Sequence, residues 1–158
     1  YVSAVTEPIL GACGGEEPPL LILEPGRAIV SDAAHLITTV IAVKELRGGV
    51  RAAVVDAGIN ILPTSFWRFQ DIECAEERGG DLRDTIIYGP LCLQTDIIGK
   101  CPLPDLRAGD RLVVKNVGAY NIPQSSTFIF PRPPIVLVEE GKPRIIKRAE
   151  TLDDIFPA

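Results

Sequence analysis

From residue 28 onward the chain alternates short apolar or β-branched runs with glycine- and proline-bearing breaks. That rhythm reads as strands separated by turns. The runs cover residues 28–46, 51–56, 69–75, 84–88, 112–117, 135–140 and 143–148. Turns fall at Gly48-Gly49, Gly79-Gly80, Gly109-Asp110 and Glu140-Gly141-Lys142-Pro143, where glycine admits positive φ and proline stops a ladder. Short strands repeated in this way predict a mainly β fold, a barrel or a sandwich. Residues 60–68 read as a short helix despite Pro63. Residues 151–156 read as a closing helical turn, with Thr151 as N-cap and Asp154 three residues on. Residues 16–19 and 76–83 carry the least pattern and are expected to be the least ordered.

The first 27 residues have a different texture. Val2, Val5, Ile9 and Leu10 fall at helical spacing around Pro8, and Gly11, Gly14 and Gly15 end the segment. Leu20-Leu21-Ile22-Leu23 then reads as a buried strand leading into Glu24-Pro25-Gly26-Arg27. Helix, glycine loop and apolar strand together predict the final unit of a parallel α/β structure. Catalytic groups of α/β barrels sit at the carboxyl ends of strands, which is where Glu24 and Arg27 fall. The plainer reading of the same two residues is an i,i+3 ion pair on a solvated turn.

Composition narrows the function classes. A chain of 158 residues with 46% hydrophobic and 23% charged residues can bury a core. The net charge is −5 and no basic patch is interleaved with aromatics, which argues against nucleic acid as a partner. The longest apolar runs are strand-sized, so no membrane span is expected. Residues 1–14 lack the basic start of a signal peptide and carry Glu7 and Pro8. Cys13, Cys74, Cys92 and Cys101 form neither a CxxC pair nor a tight framework, which predicts a reducing, cytoplasmic setting. With His35 as the one histidine, no metal site is expected, and His35 itself reads as a core or edge residue. The chain holds no Met and starts at Tyr1, so it is expected to be part of a longer polypeptide.

Three stretches offer chemistry. In Gly89-Pro90-Leu91-Cys92-Leu93-Gln94-Thr95-Asp96, a Gly-Pro turn after a β-branched run presents a lone thiol. Cys92 is either a small buried hydrophobe or a reactive group. In Asn116-Val117-Gly118-Ala119-Tyr120-Asn121, a glycine ends a strand and a tyrosine follows. Its phenol can donate to an anion, or its ring can simply pack. Val55-Asp56-Ala57-Gly58 sets a carboxylate at a strand end, where a turn aspartate bonding its own backbone is the simpler account.

In this order, Glu24-Pro25-Gly26-Arg27, Val55-Asp56-Ala57-Gly58, Gly89-Pro90-x-Cys92-x-x-x-Asp96 and Gly118-Ala119-Tyr120 resemble the fold-type III pyridoxal-phosphate decarboxylases. That is the ornithine, diaminopimelate and arginine decarboxylase family. Gly109-Asp110-Arg111-Leu112, Ser125-Ser126 and Arg132-Pro133 add to the likeness, which runs from Tyr1 to about Val138. The resemblance implies that residues 1–27 are the last helix and strand of a cofactor-binding (β/α)8 barrel, and that residues 28–158 are the family's C-terminal β-domain.

It also implies a site for pyridoxal 5′-phosphate. Glu24 would face the cofactor's pyridine nitrogen and keep the ring protonated. Arg27 and Tyr120, with Gly26 beside them, would anchor its phosphate. Cys92 resembles the family's acid, which returns a proton to the substrate carbon after carbon dioxide leaves. In the family that thiol reaches the partner subunit's site, so an obligate homodimer is implied. Asp96 is expected to shape its turn rather than act. Asp56 is a weaker substrate-binding candidate, because the family's carboxylate falls at the position of Ala57.

Two departures concern substrate. Diaminopimelate decarboxylases carry an acidic residue after the motif cysteine, where this chain has Leu93. Their helix after Asp-Ala-Gly carries Arg and Tyr, where this chain reads Pro63-Thr64-Ser65-Phe66-Trp67-Arg68. Leu93 and Thr64 therefore predict an amino-acid substrate whose far end is less charged, bulkier or carrier-bound. The same machinery also serves racemases and epimerases, and some relatives bind a partner protein without catalysis. The 158 residues alone are expected to be inactive, since the cofactor lysine and phosphate loop are not among them.

Overall fold

The computed structural model describes residues 2–157. Six strands form one curled sheet: β1 (Leu36–Glu45), β2 (Arg51–Val55), β3 (Ile72–Cys74), β4 (Arg83–Tyr88), β5 (Ile97–Leu103) and β6 (Arg111–Val114). Their order is β3-β6-β1-β2-β4-β5. Neighbours are antiparallel except β2 and β4, which run parallel.

The long strand β1 serves both halves of the sheet. Leu36 to Thr39 pair with β6, and Val40 to Glu45 pair with β2. An irregularity between Val40 and Ala42 lets the strand bend between its partners. The two outer strands, β3 and β5, then come face to face. A Cβ built on Gly99 would lie 2.3 Å from Ile72 Cδ1, so glycine is what allows the approach. The Cys101 thiol reaches the Ile72 carbonyl at 3.8 Å. The sheet is thus nearly closed, which leaves few exposed edges. Val40, Val55, Ile87, Ile98, Leu112 and Val114 fill its interior. Polar groups inside it are satisfied. Buried Arg51 donates to Thr85 Oγ1 (2.9 Å), to Asp105 Oδ1 (2.9 Å) and to the carbonyls of Arg83 and Leu103.

Several expectations need correction. Leu20-Leu21-Ile22-Leu23 is not a buried strand. It is extended coil, with Leu20 87% and Ile22 74% exposed. An apolar run becomes a buried strand only with neighbours on both sides, and no described strand pairs with it. The helix before it, α1 (Val2–Ala12), buries no residue. The strand expected from residue 28 begins later, because residues 28–33 are helical: α2 (Arg27–Val30) and a 3-10 turn at Ser31–Ala33. Strand β3 has three residues, not the seven of 69–75. Strand β5 was not expected at all, because Gly99, Lys100 and Pro102 break its pattern. It tolerates Pro102 as an edge strand of the ladder.

Other expectations stand in the structure. Residues 60–68 contain a 3-10 turn at Pro63–Phe66 with proline at its start. Between β6 and the C-terminal strands lies α3 (Asn121–Gln124). Strands β7 (Ile135–Glu139) and β8 (Lys142–Lys147) form a separate hairpin. Glu140 and Gly141 both have positive φ (51° and 75°), the geometry of a tight hairpin turn. The last helix, α4 (Leu152–Ile155), has Thr151 as N-cap.

A two-stranded hairpin is marginal alone; Arg132 ties the base of this one to Ser125, and Arg148 braces the turn that follows it. Arg132 donates to Ser125 (Oγ 2.9 Å, carbonyl 2.8 Å) and to Glu150 Oε1 (3.0 Å). Arg148 grips Asp154 through two bonds of 2.7 Å. Asp154 is held below the usual carboxylate range by the Arg148 hydrogen bond first, then by Thr151. Glu150 is lowered chiefly by the Arg132 backbone N–H. Depressed folded-state pKa values mean that these contacts stabilise fully above the unfolded carboxylate range and are lost as pH falls through the folded values. Amide exchange in β7 and β8 should therefore accelerate relative to β1 and β2 when pH is taken from 6 to below 3. Equal protection ratios at the two pH values would show that the clamps contribute nothing.

Candidate functional site

The first cluster begins with backbone docking. The Gly118 N–H donates to the Ser31 carbonyl (2.9 Å), and the Val117 N–H donates to that of Ala34 (2.9 Å). The Ser31 hydroxyl donates back to the Asn116 carbonyl at 3.1 Å. A Cβ on Gly118 would lie 2.0 Å from the Val30 carbonyl oxygen, so no other residue fits there. This docking brings two distant motifs together. The Arg27 guanidinium carbon stands 5.3 Å from the centre of the Tyr120 ring, within cation–π range. The Tyr120 hydroxyl lies 3.2 Å from where a Gly26 Cβ would be. Glycine at 26 therefore leaves the phenol its place. Glu24 is exposed two residues before Gly26.

Tyr120 itself has φ of 67°, a left-handed conformation that costs a non-glycine residue about 1–2 kcal/mol. Asn121, 3% exposed, offsets that cost. Its side-chain amide donates to the Val117 carbonyl (3.0 Å) and accepts from the Thr64 hydroxyl (2.9 Å). Asn121 is the residue that sequence reading missed. The one signal for it is a polar side chain directly after a motif tyrosine.

The second cluster surrounds Asp96, which is 1% exposed. Oδ1 accepts the Ile59 N–H (2.8 Å) and Oδ2 accepts the Leu91 N–H (2.7 Å). One carboxylate thus ties the Asp56-Ala57-Gly58 loop to the Gly89-Pro90 loop. Cβ atoms on Gly58 and Gly89 would lie 3.1 Å and 2.3 Å from Asp96 oxygens, so both glycines give it space. Burial pushes its pKa up, and the two N–H groups only partly offset this. Cys92 stands on the loop that Asp96 secures. It is exposed, so it is not the small buried hydrophobe.

The remaining candidates are placed as follows. Asp56 caps the end of β2 and accepts the Thr38 hydroxyl (2.5 Å) and the Thr39 N–H (2.8 Å). Leu93 is 40% exposed beside Cys92. Thr64 is wholly buried with its hydroxyl committed to Asn121. Arg27, Gly26 and Tyr120 are brought together. Among the described residues, no hydrogen bond or ion pair joins Cys92, Leu93 or Glu24 to that group.

Residues 27–118 match the family model described as "Pyridoxal-dependent decarboxylase, C-terminal sheet domain", which is more than half of the chain. The chain belongs to that family. It is 37% identical to diaminopimelate decarboxylase of Methanothermobacter thermautotrophicus, over 87% of this chain and 33% of the relative. It is 33% identical to the Escherichia coli K12 enzyme of the same name, over 88% of this chain and 37% of the relative. Helicobacter pylori diaminopimelate decarboxylase, solved with L-lysine, superposes with a TM-score of 0.81 at 30% identity, over 99% of this chain and 39% of that one. The chain thus spans little more than a third of the length of these relatives. Among the described residues no helix is long and apolar enough to cross a membrane.

Two outcomes test this geometry. Asp96→Asn sets an NH2 group against a backbone N–H and should cost about 1–3 kcal/mol, read as a lower urea midpoint at unchanged slope. An unchanged midpoint would mean that the displaced N–H group finds another acceptor. Iodoacetamide should modify Cys92 well before Cys101, whose thiol is held at about 11 chiefly by burial. Peptide mass spectrometry at short times checks the order, and early labelling of Cys101 would contradict its half-buried placement.

Proposed function

We propose that the chain is the C-terminal part of a pyridoxal-phosphate-dependent amino-acid decarboxylase acting on meso-diaminopimelate. The observation that carries this is the convergence of Arg27, Tyr120 and Gly26. A guanidinium and a phenol meet beside a glycine that leaves the phenol its place. A cation and a hydroxyl donor at an open backbone suit a phosphate dianion, so the residues present fit the cofactor. When bound, pyridoxal phosphate supplies the electron sink for loss of carbon dioxide.

The chain's own residues supply the rest. Arg27 and Tyr120 hold the phosphate by charge and by an O–H donor. Glu24, exposed just upstream on the same segment, provides the carboxylate for the ring nitrogen. Cys92 is an acid that delivers a proton to the substrate carbon. Its exposure, and its lack of any bond to the Arg27 cluster, support a role in the partner subunit's site within a homodimer. Residues 1–27 belong with the cofactor barrel in this reading, which accounts for the exposed apolar residues Leu20 and Ile22. Asp56 and Leu93 lie toward the substrate. Thr64, being buried, does not touch it, so its difference from the family residue carries no information about the substrate's far end. That leaves Leu93 alone against a substrate with a charged end, and likeness to diaminopimelate decarboxylases outweighs it.

The test is release of labelled carbon dioxide from carboxyl-labelled meso-diaminopimelate by the full-length enzyme supplied with pyridoxal phosphate. Cys92→Ala should lower kcat by about 100-fold or more while the thermal midpoint and cofactor affinity stay unchanged. Isomerisation without carbon dioxide release would make the protein an epimerase. Cofactor binding with neither activity would remove the enzymatic reading.

A further inference from the structure

We propose that Thr64 and Asn121 are positioning residues for the Tyr120 phenol, and that their buried pair sets how strongly the site holds a phosphoryl group. This rests on the phosphate-contact reading above. Asn121 Nδ2 donates to the carbonyls of Val117 (3.0 Å) and Ala119 (3.4 Å), the loop that delivers Tyr120. Its Oδ1 accepts the Thr64 N–H (3.2 Å) and the Thr64 hydroxyl (2.9 Å). The Thr64 hydroxyl in turn accepts from Gln70 Nε2 at 3.4 Å. Thr64, Gln70 and Asn121 are all buried.

These contacts fix the amide's orientation. Its donor end meets only acceptors and its acceptor end meets only donors. A 180° flip would set NH2 against the Thr64 N–H. The pair therefore acts as a latch from the 3-10 turn at Pro63–Phe66 onto the residue that follows Tyr120. Without it, Tyr120 is free to leave φ of 67° for the ordinary right-handed or extended regions. That rotation changes the direction of its Cα–Cβ bond and carries the phenol away from Gly26 and Arg27. Hydrogen bonds to an anion depend steeply on distance and angle. Phosphate affinity should therefore fall before the fold does.

The experiment uses the full-length enzyme and measures equilibrium dissociation constants for pyridoxal phosphate and for pyridoxal, which lacks the phosphate. Thr64→Val and Tyr120→Phe should each weaken pyridoxal phosphate about tenfold and change pyridoxal less than about twofold. The double variant should be no weaker than either single one, because both act through the same contact. Thr64→Ser should keep the affinity of the unsubstituted enzyme, because it retains the hydroxyl that Asn121 accepts. The inference is overturned if Thr64→Val weakens both ligands alike, if the two substitutions add, or if Thr64→Ser does not rescue. A Tyr120→Phe variant with an unchanged affinity ratio would overturn the phosphate reading itself, and the inference with it. An effect of Tyr120→Phe with a silent Thr64→Val would overturn the inference alone.

Discussion

The site depends on one steric constraint, the absence of a side chain at Gly118. A Cβ there would lie 2.0 Å from the Val30 carbonyl oxygen, far inside contact distance. Only glycine lets the chain after β6 lie against the residues that follow Arg27. Three hydrogen bonds then seal the contact, two between backbone groups and one from the Ser31 hydroxyl. The closeness of Arg27 and Tyr120 follows from it: the two residues are far apart in sequence and belong to no common strand or helix, and this docking brings their segments together.

Buried polar groups do for the loops what apolar packing does for the sheet. Strand positions in the core are fixed by Val, Ile and Leu, which are interchangeable in kind and insensitive to direction. Loops cannot be fixed that way, because their N–H and C=O groups need partners once water is excluded. Asp96 and Asn121 meet that need with complementary chemistry. Asp96 has only acceptors and gathers two N–H groups from two loops. Asn121 has both functions and bridges carbonyls of one loop to donors of another. Each sits where a candidate functional residue must be held: Asp96 under Cys92, Asn121 beside Tyr120.

The strands that sequence patterning resolves are those with β-branched runs and a glycine or proline stop, such as β2, β4 and the β7–β8 hairpin. Strand β5 escapes the pattern because its useful feature is a missing side chain: Gly99 admits Ile72 across the closing gap, and only the closed sheet gives that glycine a meaning. Leu20-Leu21-Ile22-Leu23 fails the opposite way. The run has strand composition, but burial belongs to the neighbours of a strand, and none of the described strands is one. Among the candidate site residues, Gly26, Arg27, Cys92 and Tyr120 stand in motifs that a sequence displays, and the structure brings Gly26, Arg27 and Tyr120 together. Thr64 and Asn121 were not separable into contact and support, since a buried threonine and an exposed one look alike in a sequence.

Exposed and buried loop positions differ in what a substitution there disturbs. Leu93 stands exposed on its loop with no side-chain hydrogen bond to lose, whereas Asp56, though exposed, accepts the Thr38 hydroxyl and the Thr39 N–H and so also holds the end of β2. Gly89 and Gly118 leave no room for a Cβ, and a change at Asp96 costs stability because it takes an acceptor from a buried N–H. A substitution at Leu93 therefore changes the exposed surface beside Cys92, while one at a buried position such as Thr64 changes packing. Substitutions at exposed loop positions alter the surface that the loops present, and substitutions in the buried network alter how the loops are aimed.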